Sequence, residues 1–210
     1  MINPLIDFQL ISIPILQIFS GIAIILTLLN YFPYILKIRN KTILPHFISW
    51  IIWSLTTFIV FLATLVGGGG IGAIPIGISG IITFYVAYLA FKNKAALKIY
   101  ILDWIYLFIS LSSIPIWYLS NDPFWATVIL TTVDTIGFLP TLRKSINKPY
   151  EENLLFYFIF FLRNMLVIFS LEKFTPTTLL FPIIVNIDCA ILILLVLVIR
   201  MRTSVKEIIE

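Results

Sequence analysis

Charged residues are scarce in this chain. Asp, Glu, Lys and Arg make up 11% of its 210 residues, whereas hydrophobic residues make up 60%. A soluble globular domain usually has about 25% charged residues, so this chain has too little polar surface to cover a globule in water. The composition therefore predicts an integral membrane protein.

Cysteine and histidine are nearly absent as well. Cys189 is the single cysteine and lies in an apolar run, and His46 is the single histidine. One cysteine cannot form an intrachain disulfide or a CxxC site, and a lone histidine without a second ligand nearby does not indicate a metal site. The chain also lacks HExxH and any Ser-His or paired-Asp motif at helical spacing. We therefore expect no enzyme activity, no metal and no cofactor.

Long uncharged runs define the hydrophobic segments. Residues 8–36 carry no charge, and the uncharged run between Lys41 and Lys92 is broken by four glycines at 67–70. An uncharged run of about 18 residues or more predicts a membrane-spanning helix. The whole pattern predicts an all-α protein with seven spanning helices, at about 14–38, 45–66, 71–91, 96–119, 123–142, 153–171 and 177–199.

A stretch of sequence in the first half of the chain is repeated, with changes, in the second half. TLLNYFPYILKIRNKTILPHFISWIIW at 27–53 resembles DTIGFLPTLRKSINKPYEENLLFYFIF at 134–160, which aligns Pro33 with Pro140 at an offset of 107 residues (140 − 33). The same offset aligns Pro75 with Pro182. An offset that holds without gaps across three hydrophobic segments predicts an internal duplication.

The duplication predicts a 3+1+3 architecture of two parallel three-helix bundles. An odd number of linker helices lets two such units lie parallel rather than inverted, as in parallel-repeat transporters. The predicted parts are a first repeat at 1–92, a linker helix at 93–122, and a second repeat with a short C-terminal tail at 123–210.

The basic residues predict the orientation in the membrane. If the chain crosses the membrane seven times, 12 of the 14 Lys and Arg residues lie on the same side of the membrane. The positive-inside rule makes that side cytoplasmic, so we expect the N-terminus outside and the C-terminus inside a cell membrane. Because these cations lie in short loops between apolar spans, we expect the lipid bilayer and not nucleic acid as their partner. The sequence leaves a homo-oligomer open.

Three ionisable residues fall within the predicted spans. Asp134, Arg163 and Asp188 each lie about ten or eleven residues from one end of their helix, roughly the middle of a hydrocarbon core about 30 Å thick. A charge there costs at least about 2.5 kcal/mol unless it is paired or hydrated. We therefore expect an intramembrane charge network in which Arg163 bonds to one or both aspartates. It is either a structural salt bridge or part of a substrate site, gate or proton relay.

These features together resemble a known superfamily. The 3+1+3 arrangement, the topology, a proline late in the first helix of each unit (Pro33 and Pro140) and the basic loop that follows make the chain similar to the SWEET and PQ-loop superfamily of small transporters. Vitamin carriers of the PnuC type share this fold and have a Trp-x-x-Trp signature, to which Trp50 and Trp53 correspond. The resemblance implies a facilitative carrier for a small polar solute such as a sugar or vitamin, with Pro33 and Pro140 as hinges.

The resemblance also suggests where the solute binds. SWEET proteins have one Asn on the third helix and another on the seventh. Asn186 matches the Asn of the seventh helix, whereas Ser79 occupies the position of the Asn of the third helix. Ser79 and Asn186 are again 107 positions apart (186 − 79). We expect Ser79 and Asn186 to bind substrate between the bundles, with Trp53 as an apolar wall. The alternative is that Ser79 and Asn186 only bond helix to helix, at about 0.6 kcal/mol on average.

A second function class stays open beside the carrier. A seven-helix scaffold can serve as a receptor, sensor or assembly protein that transports nothing, because a fold does not determine a function.

Overall fold

The computed structural model describes residues 13–42, 45, 47–93, 101–147, 149–151 and 153–209. These residues form seven α-helices, with no strand among them. Short 3-10 turns precede α3, at Gly70–Ala73, and α6, at Pro149–Glu151. The helices are α1 (Ile13–Arg39), α2 (Phe47–Val66), α3 (Ile74–Lys92), α4 (Ile101–Ser120), α5 (Pro123–Asn147), α6 (Leu154–Ser170) and α7 (Pro176–Ile209).

Four stretches are long and apolar enough to cross a membrane by length and composition. They are Ile13–Arg39, Phe47–Val66, Gly70–Lys92 and Pro176–Arg202. Shorter apolar stretches among the described residues are Leu107–Ser120, Pro123–Phe138 and Leu154–Ser170. The chain is thus a helical protein compatible with a membrane, whereas seven complete spans stay a prediction.

The two faces of α1 differ in a way that suits a lipid environment. Large apolar side chains such as Ile18, Ile25 and Leu29 are exposed, whereas Ser20 and Thr27 are buried on the opposite face. The buried residues recur every three or four positions, as one helix face requires. Since water disfavours a continuous apolar stripe of this length, the exposed face of α1 is suited to contact with lipid.

We refer to α1, α2 and α3 as the first group and to α5, α6 and α7 as the second group. In the first group α3 packs against both α1 and α2, and in the second group α7 packs against both α5 and α6. The groups meet where α1 packs against α6 and where α2 packs against α5, while α4 lies against α5 and α2. The offset of 107 matches α1 with α5, α2 with α6 and α3 with α7. The α1–α3, α2–α3 and α1–α6 contacts therefore correspond to the α5–α7, α6–α7 and α2–α5 contacts of the other half, whereas the smaller α2–α7 contact has no counterpart of similar size.

Two loops meet at one end of the molecule. The glycine-rich turn before α3 contacts the loop after α6 through two hydrogen bonds. The Glu172 amide donates to the Gly69 carbonyl at 3.2 Å, and the Ile71 amide donates to Glu172 Oε1 at 3.0 Å. Gly72 fits here because a Cβ at this position would lie 2.7 Å from the Ser170 carbonyl. The turn is therefore packed tightly against the second group.

The opposite end brings together the helix ends that carry the basic residues. Asn93, just after α3, donates to the Ile38 carbonyl near the end of α1 at 2.8 Å. Arg200 of α7 donates to the Pro149 carbonyl between α5 and α6 at 3.1 Å through Nε and 2.7 Å through Nη2. The side of the membrane that this end faces stays a prediction.

The predicted hinge prolines lie within helices. α1 runs without a break through Pro33. Pro140 falls within the bounds of α5, but its side chain is outside the described part of the structure. The hinge role of both residues stays a prediction.

Candidate polar site between the two helix groups

Arg163 of α6 is buried, with 1% of its surface exposed. Its guanidinium donates from Nε to Thr27 Oγ1 at 3.2 Å, from Nη1 to Asn164 Oδ1 at 2.6 Å, and from Nη2 to the Pro75 carbonyl at 2.6 Å. The group also lies over the Phe160 ring, 5.5 Å from its centroid. Two of the acceptors belong to the first group, so Arg163 joins α6 to α1 and α3.

These neutral acceptors take the place of the ion pair that we expected between Arg163 and the aspartates. Arg163 lies where α6 packs against α1, whereas Asp134 and Asp188 lie on α5 and α7, which pack against each other. The three residues share a depth in the predicted spans but lie at different helix contacts. Depth can be read from the sequence, whereas the direction in which a side chain points from an apolar helix cannot.

Asp134 and Asp188 interact with each other between α5 and α7. Their carboxylates are close enough for an electrostatic interaction, and Asp188 Oδ2 accepts a hydrogen bond from Thr135 Oγ1 at 3.1 Å. Within the described part of the chain, neither carboxylate forms an ion pair with a cation. The described residues likewise contain no group of three His, Cys, Asp or Glu side chains that could hold a metal ion. The site therefore has two acidic groups that no described cation neutralises.

Tyr31 of α1 connects the residues of this site. Its hydroxyl interacts with the Ser79 side chain on α3, and it is within electrostatic range of both Arg163 and Asp134. The side chain is only 6% exposed. Sequence reasoning did not single out Tyr31. The available signal was its spacing of four residues from Thr27, which places both on one face of α1.

Aromatic rings from two other helices surround Tyr31. Its ring contacts Trp50 of α2 and both Phe156 and Phe160 of α6, each with centroids 6.4 Å apart and nearly perpendicular planes. Trp50 in turn contacts Trp53 at 5.3 Å. Edge-to-face contacts of this kind are favourable beyond the burial of area. The rings form one continuous cluster where the two groups meet.

Trp53 lies where α2 meets α5. Its indole nitrogen is 3.5 Å from the position that a Cβ would take at Gly137. Gly137 is three residues from Asp134 and therefore lies on the same face of α5. Trp53 thus lies beside the face of α5 that carries Asp134, and its role as an apolar wall of a binding site stays a prediction.

Asn186 of α7 is 6% exposed, and neither its amide oxygen nor its amide nitrogen has a hydrogen-bond partner among the described residues. A buried amide without a partner is unfavourable, typically by about 1–3 kcal/mol. Cys189 lies on the same face of α7, one turn further on, and is within electrostatic range of Asp134 and Asp188. Asn186 and Asp188 are two residues apart and therefore point to different faces of α7.

Ser79 and Asn186 do not bond to each other. Ser79 interacts with Tyr31, while Asn186 has no partner in the described residues. For Ser79 the contact joins α3 to α1, as the alternative of helix-to-helix bonding expects, whereas Asn186 forms no such bond with a described residue.

One aromatic contact occurs twice at the repeat offset. Tyr31 and Trp50 contact at 6.4 Å with an interplanar angle of 73°, and Phe138 and Tyr157 contact at 6.2 Å and 72°. Both members differ by 107 positions (138 − 31 and 157 − 50). The two groups therefore share side-chain geometry as well as sequence pattern at this place.

A separate groove of about 250 Å³ lies between α2 and α3. Its apolar and partly exposed lining suits a lipid chain better than a polar solute. The lining residues are Phe47, Ile51, Phe84, Tyr88 and Phe91.

No family model, no curated protein and no solved structure matches the chain. Function is therefore inferred from the residues of the site between the groups.

Proposed function

We propose that the protein is a facilitative carrier that moves a small polar solute, such as a sugar or vitamin, across the cell membrane. Two parallel three-helix bundles, α1 to α3 and α5 to α7, alternate access to a site between them, and α4 is the linker. The observation that carries this proposal is the buried amide of Asn186, which has no hydrogen-bond partner among the described residues.

The architecture in this proposal is supported by the contacts that recur in both halves. The central position of α3 in the first group is matched by that of α7 in the second. The Tyr31–Trp50 contact is matched by the Phe138–Tyr157 contact. Such a recurrence is expected for two units with the same fold and direction, and the α1–α6 and α2–α5 contacts leave a shared interface between them.

The orientation is supported by the two ends of the molecule. The loops 67–73 and 171–175 are in contact and include one cation, Lys173. The opposite end brings together helix ends that carry Lys37, Arg39, Lys92 and Arg200. We therefore place the basic end in the cytoplasm and the glycine-rich end outside.

The chemistry of the interior favours binding of a solute over packing alone. Membrane interiors accept polar side chains where these bond to one another or line a path for a ligand. Arg163 satisfies the first condition, because each of its nitrogens donates to a described acceptor. Asn186 does not satisfy it, and a solute with hydrogen-bonding groups would supply the missing bonds.

One observation favours the alternative of a receptor, sensor or assembly protein. The hydrogen bonds of Arg163 to Thr27 and Pro75 join α6 to the first group. A scaffold that transports nothing would keep these hydrogen bonds at all times. A carrier must either break them or move its two helix groups relative to each other around them.

Uptake into liposomes that contain the purified protein distinguishes the two functions. We expect saturable uptake of at least one labelled sugar or vitamin, and its loss in Asn186→Leu and Trp53→Ala. Asn153→Leu is the matched control, because Asn153 is exposed and its side chain caps no helix. A solute that binds wild type saturably and reversibly, yet never accumulates or exchanges across the membrane, would instead support a receptor.

A further inference from the structure

The groove between α2 and α3 lies outside the proposed carrier site and has its own chemistry. Four of its five lining residues are aromatic, and none carries a charge. Its volume of about 250 Å³ is below the roughly 300–1,000 Å³ of a pocket for a compact small molecule. A hydrocarbon chain fits such a narrow apolar groove, whereas a polar solute would lose its hydrogen bonds to water there.

The groove follows the last part of α3, which ends at Lys92. Phe84, Tyr88 and Phe91 lie on one face of this helix, because they are separated by four and then three residues. Phe84 and Phe91 are seven positions apart (91 − 84), which is about 10 Å along the helix axis. One leaflet is half of a hydrocarbon core about 30 Å thick. In a membrane the groove would therefore extend through roughly two thirds of one leaflet.

Contacts between rings fix the walls of the groove and leave it open. Phe47, at the start of α2, contacts Phe91 with ring centroids 5.3 Å apart. Tyr88 stacks on Tyr85 with centroids 6.4 Å apart. Phe84, Tyr88 and Phe91 are each more than half exposed. The groove is therefore formed by the protein but accessible to a molecule from its surroundings.

A cation lies at the end of the groove. Lys92 is exposed and follows Tyr88 by four residues, which places both on the same side of α3. The hydrogen bond from Asn93 to the Ile38 carbonyl brings the end of α1, with Arg39, to the same place. Of the acidic side chains that the structure describes, none lies at this end. The charge here favours a lipid with an anionic headgroup over a zwitterionic one.

The corresponding surface of the second half lacks this combination. The offset of 107 assigns the lining positions to four aliphatic residues and one phenylalanine, namely Leu154, Phe158, Ile191, Leu195 and Val198. Lys92 corresponds to Ile199 (199 − 92 is 107). The neighbouring Arg200 is already bonded to the Pro149 carbonyl. The aromatic groove with a cation at its end is therefore a feature of the first half, and the second half provides an internal control.

We propose that the groove between α2 and α3 binds one acyl chain of an anionic phospholipid, whose headgroup lies at Lys92 and the adjacent end of α1. With the basic end in the cytoplasm, this lipid belongs to the cytoplasmic leaflet, where anionic lipids attract Lys and Arg near the membrane surface. The site lies on the surface of the first group and does not depend on transport.

Competition between two lipids with the same acyl chains tests the proposal. The detergent-purified protein is mixed with equal amounts of dioleoyl phosphatidylglycerol and dioleoyl phosphatidylcholine, and the lipids that it retains are counted by native mass spectrometry. We expect the wild type to retain the anionic lipid about fivefold or more over the zwitterionic one, which is the attraction expected of one Lys at a membrane surface.

Variants separate the contribution of the charge from that of the groove. Lys92→Gln removes the charge and should reduce the preference to about twofold or less. Lys173→Gln is its control, because Lys173 is exposed at the opposite end of the molecule. Phe84→Ala removes part of the groove wall and should lower the retention of both lipids. Ile191→Ala is its control, because Ile191 is the exposed counterpart of Phe84 on α7.

Two results would overturn the proposal. Equal retention of both lipids by the wild type, or a preference that survives Lys92→Gln, would exclude the anionic headgroup at this end. Retention by Phe84→Ala as high as that by Ile191→Ala would exclude the groove as the place of the chain. Neither result affects the carrier, which is tested by uptake, and absence of uptake would leave the lipid site standing.

Discussion

Arg163 donates a hydrogen bond from Nε to Thr27 Oγ1 at 3.2 Å and so joins α6 to α1. Position 27 corresponds to position 134 in the repeat (134 − 27 is 107). Arg163 therefore bonds to the counterpart of Asp134 in the other group and not to Asp134 itself. Two positions related by the repeat offset therefore have different partners: Thr27 accepts a hydrogen bond from Arg163, whereas Asp134 does not.

Arg163→Ala should lower the melting temperature sharply. The change leaves the acceptors on Thr27, Asn164 and Pro75 without this donor, and each buried polar group that loses its partner costs about 1–3 kcal/mol. The melting temperature of the detergent-purified variant is the measurement. Asp134→Asn serves as the control and should not lower the melting temperature. An equal loss in both variants would show that the two residues form an ion pair after all.

Asn186→Leu should keep or raise the melting temperature while it removes ligand binding. The wild-type amide has no described partner, and replacing an unpaired buried polar group by an apolar one of similar size removes its desolvation penalty. Asn30→Leu is the matched control, because Asn30 is 5% exposed and donates to the Phe156 carbonyl at 3.2 Å. The control should lose stability. A fall in melting temperature for Asn186→Leu as large as that of the control would contradict the assignment.

Gly72→Ala should destabilise the protein or open the contact between its two loops. The added Cβ would lie 2.7 Å from backbone atoms of Ser170 and Leu171, so one loop must move. Proteolysis of the loops and the melting temperature report the change. Gly21→Ala is the control, since nothing lies within 4 Å of the added Cβ and Ala favours a helix over Gly by about 1 kcal/mol. A variant at Gly72 as stable as the control would argue against the close approach.

Accessible tags test the orientation. A tag at the C-terminus and another in the loop 40–44 should be reached only from the cytoplasm, whereas a tag in the turn 67–70 should be reached from outside. The reason is the excess of Lys and Arg at the first end. Labelling of intact cells, compared with labelling of permeabilised cells, distinguishes the sides. A glycine-rich turn on the cytoplasmic side would contradict both the orientation and the parallel repeat.

The sequence predicts the order of the helices and most of their bounds, because uncharged runs and their basic or glycine-rich borders are visible without any packing. The predicted ends at 142 and 199 are wrong, since α5 continues to Asn147 and α7 to Ile209 through the basic residues that follow the apolar runs. α2 ends at Val66 and α5 begins at Pro123, as the sequence predicts. The repeat offset is also visible, since Pro33 and Pro140 mark it. Such features depend on composition along the chain alone.

The partners within the site could not be predicted in this way. α6 is apolar on every side around Arg163, so its sequence does not reveal that this residue faces α1. Tyr31 was missed because aromatic residues are common throughout the chain and its contacts lie on other helices. Asn186 was found from its repeat position, whereas its lack of a described partner is a property of packing.

Alternating access is tested most directly at Ser79, which is 3% exposed in this structure. The measurement is labelling of Ser79→Cys, in a Cys189→Ala background, by a membrane-impermeant thiol reagent applied in turn to each side of oriented vesicles. A carrier must open this position to both sides, so we predict labelling from outside and from inside. Labelling from one side only, or from neither side under conditions in which a cysteine in the turn 67–70 reacts fully, would contradict the carrier.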